Sequence, residues 1–427
     1  MERDAIRMCE LLVGLPEVRV LGIATDPLLI EIETRAGFVG CRQCGSVAVG
    51  KGRRDVELVD LPAFGRPTRL RWRKRRWRCP EHSCTEGSWT EEDRRIAAPR
   101  VAMTDRAGRW ATLEVGRWGR SVNEVAQALG CDWHTVNDAV IAYGSALVDD
   151  PRRFGDVEAL GLDEVLFVRR GHWHRPEFTT SIVDVASGQL LDVVVGRGAE
   201  EPKTWIIDRG DEWRSNVRFA TLDLSSSYRS VFNAVLPHAT QIADPFHLVR
   251  LANAKVDECR RRVQNELFGH RGRKDDPLYR ARRLLTKAEE RLGDSGTEKL
   301  LGLLRAGDPK GDVTAAWHAK EAVRELYAHA DAEVATQWIE RLISDMADKT
   351  WPVEVHSLGR TLAKWKDEIV AWHHAHFTNG PTEAANNLIK RVKRVAFGFT
   401  SFRNYRIRSL LYAGRPNWAL LGAVTTP

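Results

Sequence analysis

VEALGLDEVLFV (157–168), FTTSIVDVASGQLLDVVVG (178–196), VRFATLDL (217–224) and TQIAD (240–244) follow one another along a chain of 427 residues. Each is short and apolar, with the β-branched residues that suit strands, and the Ser187–Gly188 pair marks a tight turn inside the second. Helical stretches, EEPKTWIIDRG (200–210) and one through Tyr228, fall between the later strands. Three strands joined by short turns, then helix alternating with strand, predict an α/β unit with a mixed sheet. A ribonuclease-H-like layout fits that order, although periodicity alone does not separate it from several other α/β folds.

Two acids stand out against this apolar background. Asp163 lies inside a strand among Leu160, Leu162, Val165 and Phe167, where a carboxylate is costly unless it is paired or bound to metal. Its neighbour Glu164 belongs to the opposite face, because side chains alternate along a strand. Asp223 ends VRFATLDL, and ligands of open α/β sheets gather beyond the carboxyl ends of strands. An arginine partner for Asp163 and a helix-cap role for Asp223 are the structural alternatives. A third acid, Glu383, begins NGPTEAANNLIKRVKRV (379–395). With Gly380 as cap, Pro381 takes the first helical position and Glu383 the third, where a carboxylate also suits the helix dipole. The same helical face carries Asn387, Lys390 and Arg394, side chains that seek phosphate. Leu388, Val392 and Val395 are expected to form a separate apolar stripe toward the core.

Away from these acids the chain divides by pattern. Residues 1–100 hold short β-rich segments with Gly and Pro breaks. Residues 101–152 look helical, and the stretch from Pro245 to about 375 is helical and highly charged. Hydrophobic residues make up 43%, enough for real cores and too many for a mostly disordered chain. No apolar run reaches the ~18 residues of a membrane span. The start, MERDAIRMCELLVG, mixes acids with bases around too short an apolar stretch for a signal peptide, so a cytoplasmic protein is expected. The net charge of +7 leans toward a polyanionic partner, and its distribution says more. RPTRLRWRKRRWR (66–78) holds eight basic residues and two tryptophans, with no acid. A second block, Lys390, Arg391, Lys393 and Arg394, is followed by Phe397, Phe399 and Phe402. Two basic runs beside aromatics point to nucleic acid, with Arg71, Arg73, Lys74, Arg75 and Arg76 as candidate contacts.

Seven cysteines without an oxidising compartment argue against a disulfide framework. Cys41-x2-Cys44 and Cys79-x4-Cys84 form two hooks that suit a structural zinc ion, each hook giving two thiolates to a tetrahedral site. His82 is an alternative to Cys84. GSVAVGK (45–51) imitates a phosphate-binding loop, but Gly52 stands where a Ser or Thr would hold magnesium and no apolar strand leads into it. ATP binding is rejected. His373, His374 and His376 share no helix-face spacing with an acid and receive no metal.

SVNEVAQALGCDWHTVNDAVI (121–141) reads as a helix-turn-helix. Ser121 and Glu124 make a capping box, Gly130 permits the turn, and Asp132 caps a second helix. That helix offers Trp133, His134, Thr135 and Asn137 to a DNA groove. An ordinary helical hairpin is the plainer alternative.

Taken together, the cysteine hooks, GLDE (161–164), TLDLSSSYRS (221–230), IADPFHLV (242–249) and NGPTEAANNLIKRVKRVAFGF (379–399) resemble the ISL3 family of insertion-sequence transposases across nearly the whole chain. The resemblance implies a multidomain α/β protein. Its parts are a zinc-binding DNA-binding domain (1–100), a helix-turn-helix (101–152), a ribonuclease-H-like core (153–260 and 375–427) and a helical insertion (261–374). It makes Asp163, Asp223 and Glu383 a catalytic triad holding Mg2+ or Mn2+, with Zn2+ on Cys41, Cys44, Cys79 and Cys84. Asp244 and His247 match a family motif without an assigned role. The implied reaction is metal-dependent cleavage and strand transfer on double-stranded DNA, at terminal inverted repeats and a target, by a homodimer or larger assembly at the bacterial nucleoid. The rival from another class is a catalytically inactive DNA-binding regulator, against which stand three intact acids.

Overall fold

The computed structural model describes residues 4–35 and 37–424; residues 1–3 of the start judged not to be a signal peptide lie outside them, as do residues 425–427 of the last predicted segment. Contacts divide the chain into two compact units, one of residues 1–154 with 387–427 and one of residues 155–386. No helix among the described residues is long and apolar enough to cross a membrane.

The first unit opens with α1 (Ala5–Val13) and the strands β1 (Val18–Thr25), β2 (Leu28–Thr34), β3 (Val49–Ala63), β4 (Arg66–Arg78) and β5 (Ser88–Thr90). Their sheet runs β1-β2-β4-β3, with β5 added to β4. β3 and β4 form a long hairpin whose tip, Phe64–Gly65, has positive φ at both residues (54° and 72°), the backbone a two-residue hairpin loop needs. The basic run is therefore a strand, and alternation divides it. Leu70 and Trp72 are fully buried beside Ile32 and Leu58, with Arg73 exposed on the other face; beyond Lys74 the pattern shifts, Arg75 being buried and Arg76 exposed. The helices α2 (Asp105–Gly116), α3 (Val122–Leu129) and α4 (Trp133–Val148) follow. Ser121 and Glu124 form the expected capping box, Gly130 turns at φ +63°, and Asp132 accepts from Thr135 N.

The second unit is built on the sheet β10-β9-β6-β7-β8. Its members are β6 (Ala159–Arg170), β7 (Arg175–Asp184), β8 (Gln189–Val195), β9 (Phe219–Leu222) and β10 (Thr240–Ala243). β6, β7 and β8 are antiparallel neighbours; β9 and β10 join parallel to β6. This is the mixed sheet expected from the short-turn strands. Helices α5 (Glu200–Ile207), α6 (Gly210–Asn216) and α7 (Ser226–Val235) separate the later strands. α8 (Pro245–Phe268) leads into a helical segment of α9 (Pro277–Leu285), α10 (Gly293–Gly307), α11 (Asp312–Glu325), α12 (Ala332–Asp345), α13 (Val353–Lys364) and α14 (Lys366–Ala375). Arg262 on α8 ties this segment together, reaching Asp312 of α11 at 3.1 Å and Glu354 of α13 at 2.8 Å.

α15 (Gly380–Val395) begins among residues of the second unit and ends among those of the first; α16 (Phe402–Ala413) belongs to the first. α16 packs with α4 and α2, and the Arg153 guanidinium donates to Gly414 O at 3.1 Å. The expected apolar stripe of α15 is corrected. Leu388 is 39% exposed, and the buried apolar positions are Ala385, Ile389 and Val392. The spacing of four and three is helical, but a small alanine, rather than a leucine, meets the core.

Candidate active site

Strand register assembles the acids. Gly161 of β6 lies level with Thr221 of β9, and Leu222 of β9 with Ala243 of β10. Continued past the ends of β9 and β10, that register sets Asp223 and Asp244 side by side with Asp163, which lies inside the longer β6. Because side chains alternate, all three acids share one face of the sheet. Glu164, as expected, takes the other face, where its strand partner Thr180 meets the Tyr228 hydroxyl at 3.2 Å.

The start of α15 covers the face with the acids. Gly161 has no side chain because there is no room for one. A Cβ there would run into Thr382 Oγ1 and come within 2.8 Å of Val185 Cγ2. Asn379 anchors the approach: its N–H donates to Asp244 Oδ1 at 2.8 Å, and its Oδ1 accepts from Thr221 Oγ1 at 3.2 Å. The helix starts at Gly380 rather than after it, with Glu383 N donating to Asn379 O at 3.0 Å. One turn on from Glu383, Asn386 donates to Asp163 Oδ2 at 2.7 Å while accepting from Ser181 Oγ at 2.7 Å.

The opposite wall is the first turn of α8. Asp244 caps it by accepting from His247 N at 3.1 Å, and also holds His247 Nδ1 at 3.0 Å. The far ring nitrogen, Nε2, lies 3.7 Å from Glu383 Oε1. His247 thus sits between Asp244 and Glu383.

Electrostatics follow from burial and crowding. Burial, with repulsion from Asp163 added, pushes the Asp223 carboxyl up to about 6. Burial also raises Asp163, and the charge of Glu383 adds to the rise. Asp244 behaves differently. Burial acts to raise it, but hydrogen bonds from the His247 ring and the Asn379 backbone bring it below the usual carboxylate range. The hydrogen bond to Asp244 raises His247 in turn. Asp223 Oδ1 is buried without a hydrogen-bond partner. A buried, unpartnered carboxylate oxygen beside a second raised carboxylate suits a hard divalent cation.

The cysteine hooks converge. Cys41 Sγ and Cys84 Sγ are 3.7 Å apart, Cys44 Sγ and Cys79 Sγ 3.5 Å. With zinc–sulfur bonds of about 2.3 Å, the edge of a tetrahedron is roughly 3.8 Å. Gly45, at φ +76°, lets the first hook close, its N–H donating to Cys41 O at 3.0 Å. Hydrogen bonds from Ser46 hold the Cys44 thiol down at about 6, while burial pushes Cys79 up to about 12. His82 is not among the ligands; the set is the four cysteines. Among the described residues it is the one group of three or more candidate ligands whose atoms all lie within 4.8 Å of one another. The carboxyls of Asp163, Asp223 and Glu383 are neighbours without reaching that closeness.

The candidate DNA contacts divide. Arg71 pairs with Glu31 at 2.7 Å, and Arg75, 9% exposed, with Glu33 and Glu91 at 3.6 Å. Lys74 lies 4.0 Å from the centre of the Trp72 ring. Trp133 and His134 are exposed; Thr135 is half-buried and donates to Asp132 at 2.9 Å. Asn137 is buried and accepts from Asn404 Nδ2 at 3.2 Å. Asn387, Lys390, Arg391 and Arg394 are exposed, and Lys393 is half-buried. Sequence reasoning assigns no role to Asn379 or Asn386; polar residues flanking Glu383 at –4 and +3 are the available sign.

Comparison with known proteins shows the family to which this chain belongs. Residues 160–409, more than half of the chain, match the profile of the ISL3 transposases, and residues 38–84 match the zinc-finger of transposase IS204/IS1001/IS1096/IS1165. The chain belongs to the ISL3 family of transposases. The transposase for insertion sequence element IS1557 of Mycobacterium tuberculosis is 27% identical over 301 residues, 66% of each chain. That for IS1001 of Bordetella parapertussis is 24% identical over 288 residues, 65% of this chain and 66% of the relative. The chain thus spans just under two thirds of the length of these relatives. A loose likeness links it to the Drosophila P element transposase strand transfer complex, with a TM-score of 0.39 and 8% identity over 75% of this chain and 94% of that one.

Proposed function

We propose that this chain binds the terminal inverted repeats of its insertion sequence and cleaves and joins DNA strands through Asp163, Asp223 and Glu383. The observation that carries this reading is the register of β6, β9 and β10, which brings Asp163, inside β6, level with Asp223 and Asp244 just past β9 and β10, while Asn379 anchors the start of the helix bearing Glu383. In this reading the second unit's sheet is a ribonuclease-H-like core, α8–α14 are its helical insertion, and α3–α4 are a DNA-reading helix-turn-helix.

Asp163, Asp223 and Glu383 would hold Mg2+ or Mn2+, hard ions that favour carboxylate oxygen. Bound there, the cations supply activation of the attacking oxygen and charge stabilisation of the leaving 3′ oxygen. The chain's own groups do the positioning. Asn386 fixes the Asp163 carboxylate through Oδ2, and the Glu164 N–H donates to Oδ1 at 2.8 Å, so both oxygens are oriented and each keeps a lone pair for a cation. Asp244 orients the His247 ring, whose far nitrogen faces Glu383 and restrains it. The exposed Lys390, Arg391 and Arg394 supply positive charge for phosphates. Zinc on the four cysteines is structural, since a closed thiolate set leaves no open position. The substrate places the protein at the bacterial nucleoid, and pairing of two DNA ends calls for at least a dimer.

The test is strand cleavage of end-containing DNA by the purified chain in Mg2+. Asp223→Asn is expected to lower it at least a thousandfold while DNA affinity stays within about threefold. Cleavage by the Asn protein at the parental rate contradicts the assignment.

A further inference from the structure

Arg408 on α16 is 5% exposed, and its Nε is buried without a hydrogen-bond partner. Its guanidinium carbon lies 5.1 Å from the centre of the Phe399 ring. Other arginines as deeply buried are satisfied. Arg75 has Glu33, Glu91 and Thr34, Arg153 has Val148 O and Gly414 O, and Arg260 has Asp257. A buried cation without a counter-ion is expensive and calls for a partner. Burial lowers the Arg408 pKa to about 10, so it remains charged at neutral pH.

Helical side chains lean toward the N-terminus of their helix, which aims Arg408 at the start of α16. There a pocket of about 150 Å³ opens, lined by Arg408, Trp133, Asn137, Asn404, Phe397 and Phe399. Two helix caps, Ser121 of α3 and Ser401 of α16, also border it, so two positive helix ends converge on the space. The Ser121 hydroxyl is already engaged with Glu124. No carboxylate lines the pocket. A single anion with paired oxygens matches a guanidinium fork. At the rim, Phe397 is 98% and Trp133 40% exposed, flat surfaces that a nucleic acid can cover.

We propose that Arg408 grips one backbone phosphate of DNA in this pocket, between the start of the helix-turn-helix and the loop leading into α16. This rests on the reading that the chain binds DNA, and it names the contact that fixes register rather than one that reads sequence.

The test compares the full chain with Arg408→Met on duplexes carrying the terminal repeats, measuring Kd against salt. Losing one phosphate contact is expected to weaken binding about tenfold and to flatten the log–log salt slope by about 0.9. Thermal stability of Arg408→Met should hold or rise, because an unpaired buried charge has been removed. Unchanged affinity and slope in Arg408→Met overturn the proposal while leaving DNA binding intact. A parent chain that binds no DNA overturns both readings. Inorganic phosphate at fixed ionic strength separates the sources. If it stabilises the parent but not Arg408→Met, and the DNA slopes are equal, the pocket serves a free anion and the DNA assignment fails. Should Arg408→Met not fold, Arg408→Lys is scanned with duplexes bearing single neutral methylphosphonates. One position must lose its effect relative to the parent; if none does, the proposal fails.

Discussion

Asp223 has its carboxyl raised to about 6 from an ordinary 3.8 by burial and by the charge of Asp163. A raised folded-state value means that the group favours the fold below pH ~4 and that this contribution is lost as pH climbs through 6. Without divalent cation, Asp223→Asn should therefore be more stable than the parent at pH 7, by about 1–3 kcal/mol, with the gap closing near pH 4. Urea unfolding at the two pH values measures it, and added Mg2+ should narrow the gap at pH 7 by stabilising the parent alone. Gly161 makes a second prediction. Gly161→Ala would push Thr382, and Glu383 beside it, off β6; strand cleavage should fall at least tenfold with DNA affinity unchanged, as gel assays on end DNA would report. Asp163 and Asp223 were readable in the sequence because each interrupts or ends an apolar run, and Glu383 because it shares a helical face with Asn387, Lys390 and Arg394. What Gly161 and Asn379 do was not, since both act through contacts with residues more than 130 positions away.

At the scale of elements, the two cysteine hooks and the helix caps are short-range patterns, and the structure reproduces them as read. The basic run was legible as charge but not as a strand whose alternate members are spoken for. Arg71 and Arg75 answer acids on β2, β3 and the segment after β5, partners that only the sheet's register brings near. Asn137 is another case: it faces inward to Asn404, 267 residues away. These placements carry two predictions. The chain should hold one tightly bound zinc, and Cys44→Ser should lose it, as a chromophoric chelator assay would count; a full zinc complement in Cys44→Ser contradicts the four-thiolate site. Trp133→Ala, which removes an exposed ring, should weaken DNA binding about five- to tenfold without shifting Tm.

For the whole molecule, the order of elements was legible and the grouping was not. Nothing in residues 402–413 announces that α16 packs with α2 and α4, near the opposite end of the sequence. Its apolar residues run around the helix, with Tyr405, Ile407, Leu410 and Leu411 all buried, so no single stripe pointed to a partner. The three candidate acids come from two strands and a helix separated by the α8–α14 segment; the parallel register of β6 and β9 makes Asp163 and Asp223 neighbours, and Asn379 anchors the start of the helix bearing Glu383. The most direct measurement of the central claim is cleavage of terminal-repeat DNA by the full chain in Mg2+, run beside Asp163→Asn, Asp223→Asn and Glu383→Gln. The account predicts that the parent releases 3′ hydroxyl ends while all three variants bind the DNA and leave it whole; cleavage by any of the three at the parental rate would contradict it.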